Sequence, residues 1–116
     1  MSRFGTIIND QEVKPEVYMI PAVAPAINIS VEGGNNTFVV VNLDKDATIN
    51  IASGSPSLGD RITIMAQNDA VAPWTLTFGT LFISSGPTVG VVNSYYTVQF
   101  KFNGVNFIEI SRAQAV

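Results

Sequence analysis

The chain reads as an all-β protein, an antiparallel β-sandwich or jelly-roll-like barrel with an extended N-terminal arm. Three observations predict this: short runs of alternating apolar and polar residues recur between residues 26 and 110, clusters of turn residues separate them, and no stretch longer than one turn carries the i, i+3, i+4 apolar spacing of an amphipathic helix.

Residues 1–25 differ in kind from the remainder of the chain. Pro15, Pro21 and Pro25 fall here together with Asp10, Glu12, Lys14 and Glu16, and no alternation is sustained. Proline fixes its own φ and pushes the residue before it toward extended backbone. The stretch is therefore read as an extended arm, with Phe4, Ile7, Ile8, Val17, Tyr18, Met19 and Ile20 as its apolar contacts. A first edge strand folded onto the common core is the other reading of the same residues.

Residues 26–116 make up the β-domain. Ile27, Ile29 and Val31 alternate with Asn28 and Ser30, and Gly33-Gly34-Asn35-Asn36 turns the chain. Residues 37–43 are apolar on both faces, as in a strand covered from two sides. Asp44-Lys45-Asp46 is a turn, Ile49 and Ile51 mark the next strand, and Ser53-Gly54-Ser55-Pro56-Ser57 is a loop. Gly59-Asp60 introduces residues 61–66, with Ile62 and Ile64 inward. After a turn region at 67–73, Trp74, Leu76 and Phe78 share one face, and Leu81-Phe82-Ile83 ends at Ser84-Ser85-Gly86-Pro87. Residues 89–93 form a weak, glycine-interrupted strand or loop.

The last element is a hairpin around Asn103-Gly104, two residues that reach positive φ cheaply. A two-residue loop would place Val98 opposite Glu109, setting a charge on the apolar face. A three-residue loop with a bulge instead pairs Phe100 with Ile108 and Val98 with Ile110, and is favoured because a one-residue slip exchanges the faces. In that register Phe107 points outward beside Lys101. The rings of Tyr95 and Tyr96 cannot share a face of one strand, so one of them turns to solvent or a neighbour. Phe107 and Tyr95 are accordingly the candidate subunit contacts.

At 116 residues the chain affords one core. Apolar residues make up 47% and charged residues 13%, against about 25% charged in ordinary soluble domains. So little charge on a small domain implies that partners cover part of the exterior. The net charge of −3 and the scattering of Arg3, Lys14, Lys45, Arg61, Lys101 and Arg112 speak against nucleic acid as a partner. The N-terminus lacks the apolar stretch of a signal peptide, and the most apolar window, 17–29, is broken by prolines and too short to span a bilayer. Synthesis in the cytoplasm and no membrane partner are the expectation.

Chemistry has little to work with. There is no His and no Cys, which removes the commonest general base and metal ligand, the thiolate nucleophile and any disulfide. Asp44, Asp46, Asp60 and Asp69 could offer oxygens to calcium, but their spacing is not that of an EF-hand, and turn-forming Asp accounts for them. Glu109 with Asp60 or Asp69 could serve glycoside hydrolysis, which needs two carboxylates about the scissile bond, yet a solvated strand residue is the simpler reading of Glu109. No serine sits in a Gly-x-Ser-x-Gly or Ser-x-x-Lys setting. Trp74, Tyr95 and Tyr96 could stack on a glycan, although core or interface burial is the commoner fate of such rings. No enzyme activity, cofactor or metal is expected.

The succession Gly59-Asp60-Arg61-Ile62-Thr63-Ile64, then Trp74-Thr75-Leu76-Thr77-Phe78-Gly79, then residues 96–110 through Asn103-Gly104 resembles a β-module of tailed-bacteriophage structural proteins, of the kind seen in head-decoration proteins, head fibres and tail-fibre segments. The likeness spans residues 37–112; Asp-Gly and a Trp often stand where this chain has Asn103-Gly104 and Phe107. The resemblance implies a homotrimeric virion protein on the capsid surface, whose arm grips the major capsid protein or another virion protein while its β-domain faces outward. A fibre module that binds a host glycan or receptor is the alternative it leaves open.

Overall fold

The computed structural model describes residues 14–114. Ten strands run in chain order: β1 (Glu16–Met19), β2 (Ala26–Ser30), β3 (Asn36–Leu43), β4 (Ala47–Ser53), β5 (Arg61–Asn68), β6 (Thr75–Phe78), β7 (Phe82–Ile83), β8 (Thr88–Val89), β9 (Tyr95–Phe102) and β10 (Phe107–Gln114). No helix occurs among the described residues, so none there is long and apolar enough to cross a membrane.

The strands form two sheets, and the route between them is regular. The odd-numbered strands and β10 lie in a six-stranded sheet of order β1-β3-β5-β9-β10-β7, and the other even-numbered strands in a four-stranded sheet of order β2-β4-β6-β8. Every connection from β1 to β9 therefore crosses from one sheet to the other, and only β9 to β10 stays within a sheet. Strands two apart in sequence stack in parallel: β1 on β3, β3 on β5, β2 on β4 and β4 on β6. This is the winding of a flattened β-solenoid, closed at its C-terminal end by the antiparallel pairs β5 with β9, β9 with β10 and β6 with β8.

The all-β class and the two layers match the sequence reading; the antiparallel direction does not. Alternation along a strand reports which face is buried and says nothing about the direction of its neighbour. The signal that does is present in the chain: Ile27-Asn28-Ile29 and Ile49-Asn50-Ile51 are one repeat, stacked in register in β2 and β4. The Asn50 side-chain amide donates to Asn28 Oδ1 at 3.3 Å, and Asn50 Oδ1 accepts from the Thr80 N–H at 2.9 Å, a short asparagine ladder on the outer face.

The arm boundary also moves. The expected arm ends at residue 25 and includes Val17, Tyr18, Met19 and Ile20, but residues 16–19 hydrogen-bond to β3 as the edge strand of the six-stranded sheet. The apolar alternation of Val17 and Met19 toward the core outweighs the proline signal, and the prolines flank the strand at Pro15 and Pro21 instead. Phe4, Ile7 and Ile8 lie outside the described residues.

Between the sheets sits one apolar layer built from Ile27, Ile29, Val39, Val41, Ile49, Ile51, Ile62, Ile64, Leu76 and Val98, all buried. At its C-terminal end, rings fill the space where the four-stranded sheet has run out. Phe100 lies 4.7 Å from Phe82 and 5.1 Å from Phe78 by ring centroids, and Phe102 lies 4.8 Å from Phe107.

Phe107 is thus a core residue, with none of its surface exposed, and not a subunit contact. The hairpin loop holds four residues, 103–106, since Phe102 pairs with Phe107 and Phe100 with Glu109. Asn103 Oδ1 accepts the N–H groups of Val105 and Asn106 at 2.9 and 2.8 Å, which closes the longer loop, with Gly104 at φ 100°. A bulge is present, but it falls at Gln99/Phe100 rather than at the turn. Phe107→Ala is expected to cost about 3–5 kcal/mol; urea unfolding checks this, and an unchanged midpoint would return Phe107 to the surface.

Candidate interaction surfaces

Two of the connections that lead from the four-stranded to the six-stranded sheet meet, together with the segment entering β1, at one carboxylate. Asp60, fully buried at the start of β5, accepts from the Ser57 N–H at 2.8 Å in its own connection, from the Gly34 N–H at 3.1 Å in the connection below, and from Lys14 Nζ at 2.9 Å in the segment leading into β1. Gly54 lets residues 31 and 54 approach: its φ is 105°, and a Cβ there would overlap the Val31 carbonyl. Asp60 is thus occupied as a structural anchor.

Asp69 is similarly committed. It accepts from the Val71 N–H at 3.0 Å and from the Trp74 indole N–H at 2.8 Å. The Val71 N–H, with lesser help from Trp74 and the Ala72 N–H, holds its carboxyl below the usual aspartate range against a smaller upward push from desolvation. Asn68, buried beside it, donates to the carbonyls of Asp69 and Ala72 and accepts from the Trp74 N–H, so the 67–73 connection is fixed by side chains. Trp74 is half-buried against the core edge with its polar atom satisfied.

Glu109 is not a solvated strand residue. The four-residue loop pairs it with inward-facing Phe100 and so sets it on the inner side of β10, where it takes Arg112 Nη2 at 2.8 Å and Nε at 3.0 Å, and the Ser85 N–H at 2.9 Å. Arg112 also donates to the carbonyls of Gly86 and Pro87, and so straps the 84–87 loop over the open end of the core. Burial pushes the Glu109 carboxyl up, but Arg112 and Ser85 outweigh it and leave it below the usual glutamate range. Nearby, the Tyr96 and Thr88 hydroxyls share a hydrogen bond inside the core; burial raises the Tyr96 pKa despite that bond and the charge of Arg112.

The three acids considered for hydrolysis are therefore each engaged by separate partners and are not brought together as a pair. Among the described residues no three acidic side chains cluster as metal ligands. Two shallow depressions of about 360 Å³ each lie on the surface, one lined by Pro25, Asp46 and Thr48 with Thr75 and Thr77, the other by Asn42, Asp44, Gln67 and Asp69.

What distinguishes this molecule is its two outer faces. On the four-stranded sheet Asn28, Ser30, Thr48, Asn50 and Thr77 point outward, without a charge among them. On the six-stranded sheet, cross-strand registers align the outward side chains in rows. One row, Glu16–Asn36–Arg61–Lys101, carries the charge; the next, Tyr18–Phe38–Thr63–Gln99, and a third, Val40–Met65–Thr97, carry none. Tyr18 is 71% exposed and Ile20 70%, and the Tyr18 ring meets Phe38 edge-on at 5.9 Å. A fourth row, Asn42–Gln67–Tyr95, ends on a Tyr95 that is 53% exposed, while Tyr96 points inward. Sequence reasoning names Tyr18, Ile20 and Tyr95 but misses Phe38, Val40 and Met65, because an apolar run shows no outward side until the register is known.

No protein-family model matches the chain, and no curated protein matches it.

The Glu109–Arg112 pair gives a pH test. A carboxyl held below its unfolded value contributes stability that is complete above that value, about 4.3, and is lost as pH falls through the lower folded value. Glu109→Gln is expected to cost about 1 kcal/mol at pH 7, with the gap to the unmodified protein closing below about pH 4; thermal unfolding across that range checks both.

Proposed function

We propose that this chain is a non-catalytic structural protein of a bacteriophage virion, a head-decoration protein that acts as a homotrimer and joins the capsid lattice through its N-terminal part. The observation that carries this reading is the apolar strip at the N-terminal edge of the six-stranded sheet, where exposed Tyr18 meets Phe38, half-buried Val40 and Met65 form the next row, and Ile20 is exposed just past the end of β1. A strip of that kind, on a chain with six basic and nine acidic residues, is supported by association and poorly explained by a solitary soluble domain. Phe4, Ile7 and Ile8, which lie outside the described residues, belong to the attachment arm in this reading, and Tyr95 remains the candidate contact between subunits. Three arms engaging a repeating lattice would gain avidity without new contacts. The reading places the protein on the capsid surface after synthesis in the host cytoplasm, with no nucleic acid, membrane or cofactor.

A second reading, a glycan- or receptor-binding module of a head or tail fibre, is favoured by one row alone. Asn42, Gln67 and Tyr95 set two side-chain amides beside an exposed aromatic ring, the combination that holds a sugar by hydrogen bonds and stacking.

Sedimentation alone and with heads of the particle that carries it separates the two. The first reading expects a trimer that co-sediments with heads, and about a tenfold weaker association for Tyr18→Ser combined with Ile20→Ser, roughly 1.4 kcal/mol; a monomer indifferent to heads sinks it. The second expects glycan-array binding that disappears in both Tyr95→Ala and Gln67→Ala.

A further inference from the structure

The loop that closes the β9–β10 hairpin holds a reactive arrangement of its own. Asn103-Gly104 is the one Asn-Gly step in the chain. Asn103, Gly104 and Val105 are exposed, between the buried rings of Phe102 and Phe107. The base of the loop is nonetheless fixed. The Phe102 N–H donates to the Asp60 carbonyl at 2.8 Å, the Phe102 carbonyl accepts from the Gly59 N–H at 2.9 Å, and the Asn103 N–H donates to the Asn106 carbonyl at 3.0 Å.

On that frame the Asn103 side chain is oriented by its oxygen. Oδ1 accepts from the Val105 N–H at 2.9 Å and from the Asn106 N–H at 2.8 Å. Two N–H dipoles aimed at one carbonyl oxygen draw charge from the carbon behind it and stabilise the negative charge that gathers on the oxygen when that carbon is attacked, as in an oxyanion hole. They also hold Cγ in one orientation, so less entropy is lost on reaching the transition state.

The nucleophile is the next backbone nitrogen in the chain. The Gly104 N–H meets no acceptor among the described residues. Gly104 sits at φ 100°, which glycine adopts without strain, and the space that a Cβ would fill is open. Closure of its nitrogen onto Asn103 Cγ makes a five-membered ring with no side chain in the way.

We propose that Asn103 is a self-modification site, converted through a cyclic imide into a mixture of aspartate and isoaspartate. The Gly104 nitrogen gives up its proton to water or hydroxide and bonds to Asn103 Cγ, whose π pair moves onto Oδ1. The oxyanion collapses, the Cγ–Nδ2 bond breaks, and Nδ2 leaves as ammonia with a proton from solvent. Water then opens the imide: cleavage at Cγ gives aspartate, and cleavage at the backbone carbonyl gives isoaspartate. The sum is one water taken up and one ammonia released, with no oxidant, metal or partner. Either product adds a negative charge to the loop, and isoaspartate also lengthens the backbone between the paired Phe102 and Phe107. The proposal does not rest on the virion reading.

Incubation of the full chain in mildly alkaline buffer made with heavy-oxygen water, followed by peptide mapping and mass spectrometry, tests it. The expected result is ammonia loss at Asn103 with uptake of heavy oxygen, both isomers present, and a rate about tenfold higher in the folded protein than in the same chain unfolded in urea. Gly104→Ala should slow the reaction by about tenfold, since it places a side chain beside the nucleophile at a φ that side chains rarely adopt. If that variant disturbs the hairpin, the comparison of folded with unfolded chain still decides. A folded protein that reacts more slowly than the unfolded chain overturns the proposal, because the two N–H bonds then protect the amide. Aspartate without isoaspartate overturns it too, since direct hydrolysis needs no ring. Neither result bears on whether the protein sediments with heads.

Discussion

The structure depends on how separate turns of a solenoid are held in step, and the buried carboxylate of Asp60 is the point where that happens. A parallel stack has no hairpins to set its register, so the connections must carry the information. Asp60 ties three of them together through Lys14, Gly34 and Ser57, and its backbone carbonyl accepts from the Phe102 N–H at the end of β9. A buried charge is expensive unless every lone pair is used, which makes such a group intolerant of any register but one. Hydrophobic stacking alone would accept a two-residue slip, since Ile27, Ile29, Ile49 and Ile51 are interchangeable in character.

The two ends of the solenoid are finished differently. At the C-terminal end the six-stranded sheet outruns the four-stranded one, and the exposed flank of the core is closed by aromatic rings and by the Arg112 strap over residues 84–87. At the N-terminal end β1 and β2 are bare edges among the described strands, with Pro15 and Pro21 flanking β1. Proline at an edge discourages indiscriminate strand addition. The apolar strip lies beside this end, on the outer face where Tyr18 and Phe38 meet.

Much of the fold is legible in the residues. Alternation places β2, β4, β5, β6 and β9 and their inward sides correctly, because that pattern is a direct record of burial. It fails where a side chain's fate is decided by a partner distant in sequence. A three-residue turn sets Phe107 outward, and the Asn103 side chain that stabilises a four-residue loop leaves no trace in apolar patterning. Glu109 looks solvated in sequence because its partners, Arg112 and Ser85, come together only through the bulge and the 84–87 loop. Strand direction is hidden for the same reason, although the repeated Ile-Asn-Ile is a visible clue. Of the surface, Tyr18, Ile20 and Tyr95 can be named from sequence; the rows that join them cannot.

The alternation of sheets has a kinetic consequence. From β1 to β8 no strand pairs with its neighbour in sequence, and β9 with β10 is the only described pair closed by a short loop. The most local contacts are therefore those of β9 with β10 and of β6 with β8, while every parallel pairing must first bring together residues about twenty or more apart. During synthesis from the N-terminus, the earlier strands emerge before that hairpin exists. Pairing of the earlier strands then rests on non-local contacts, which form slowly and leave apolar strands uncovered in the meantime.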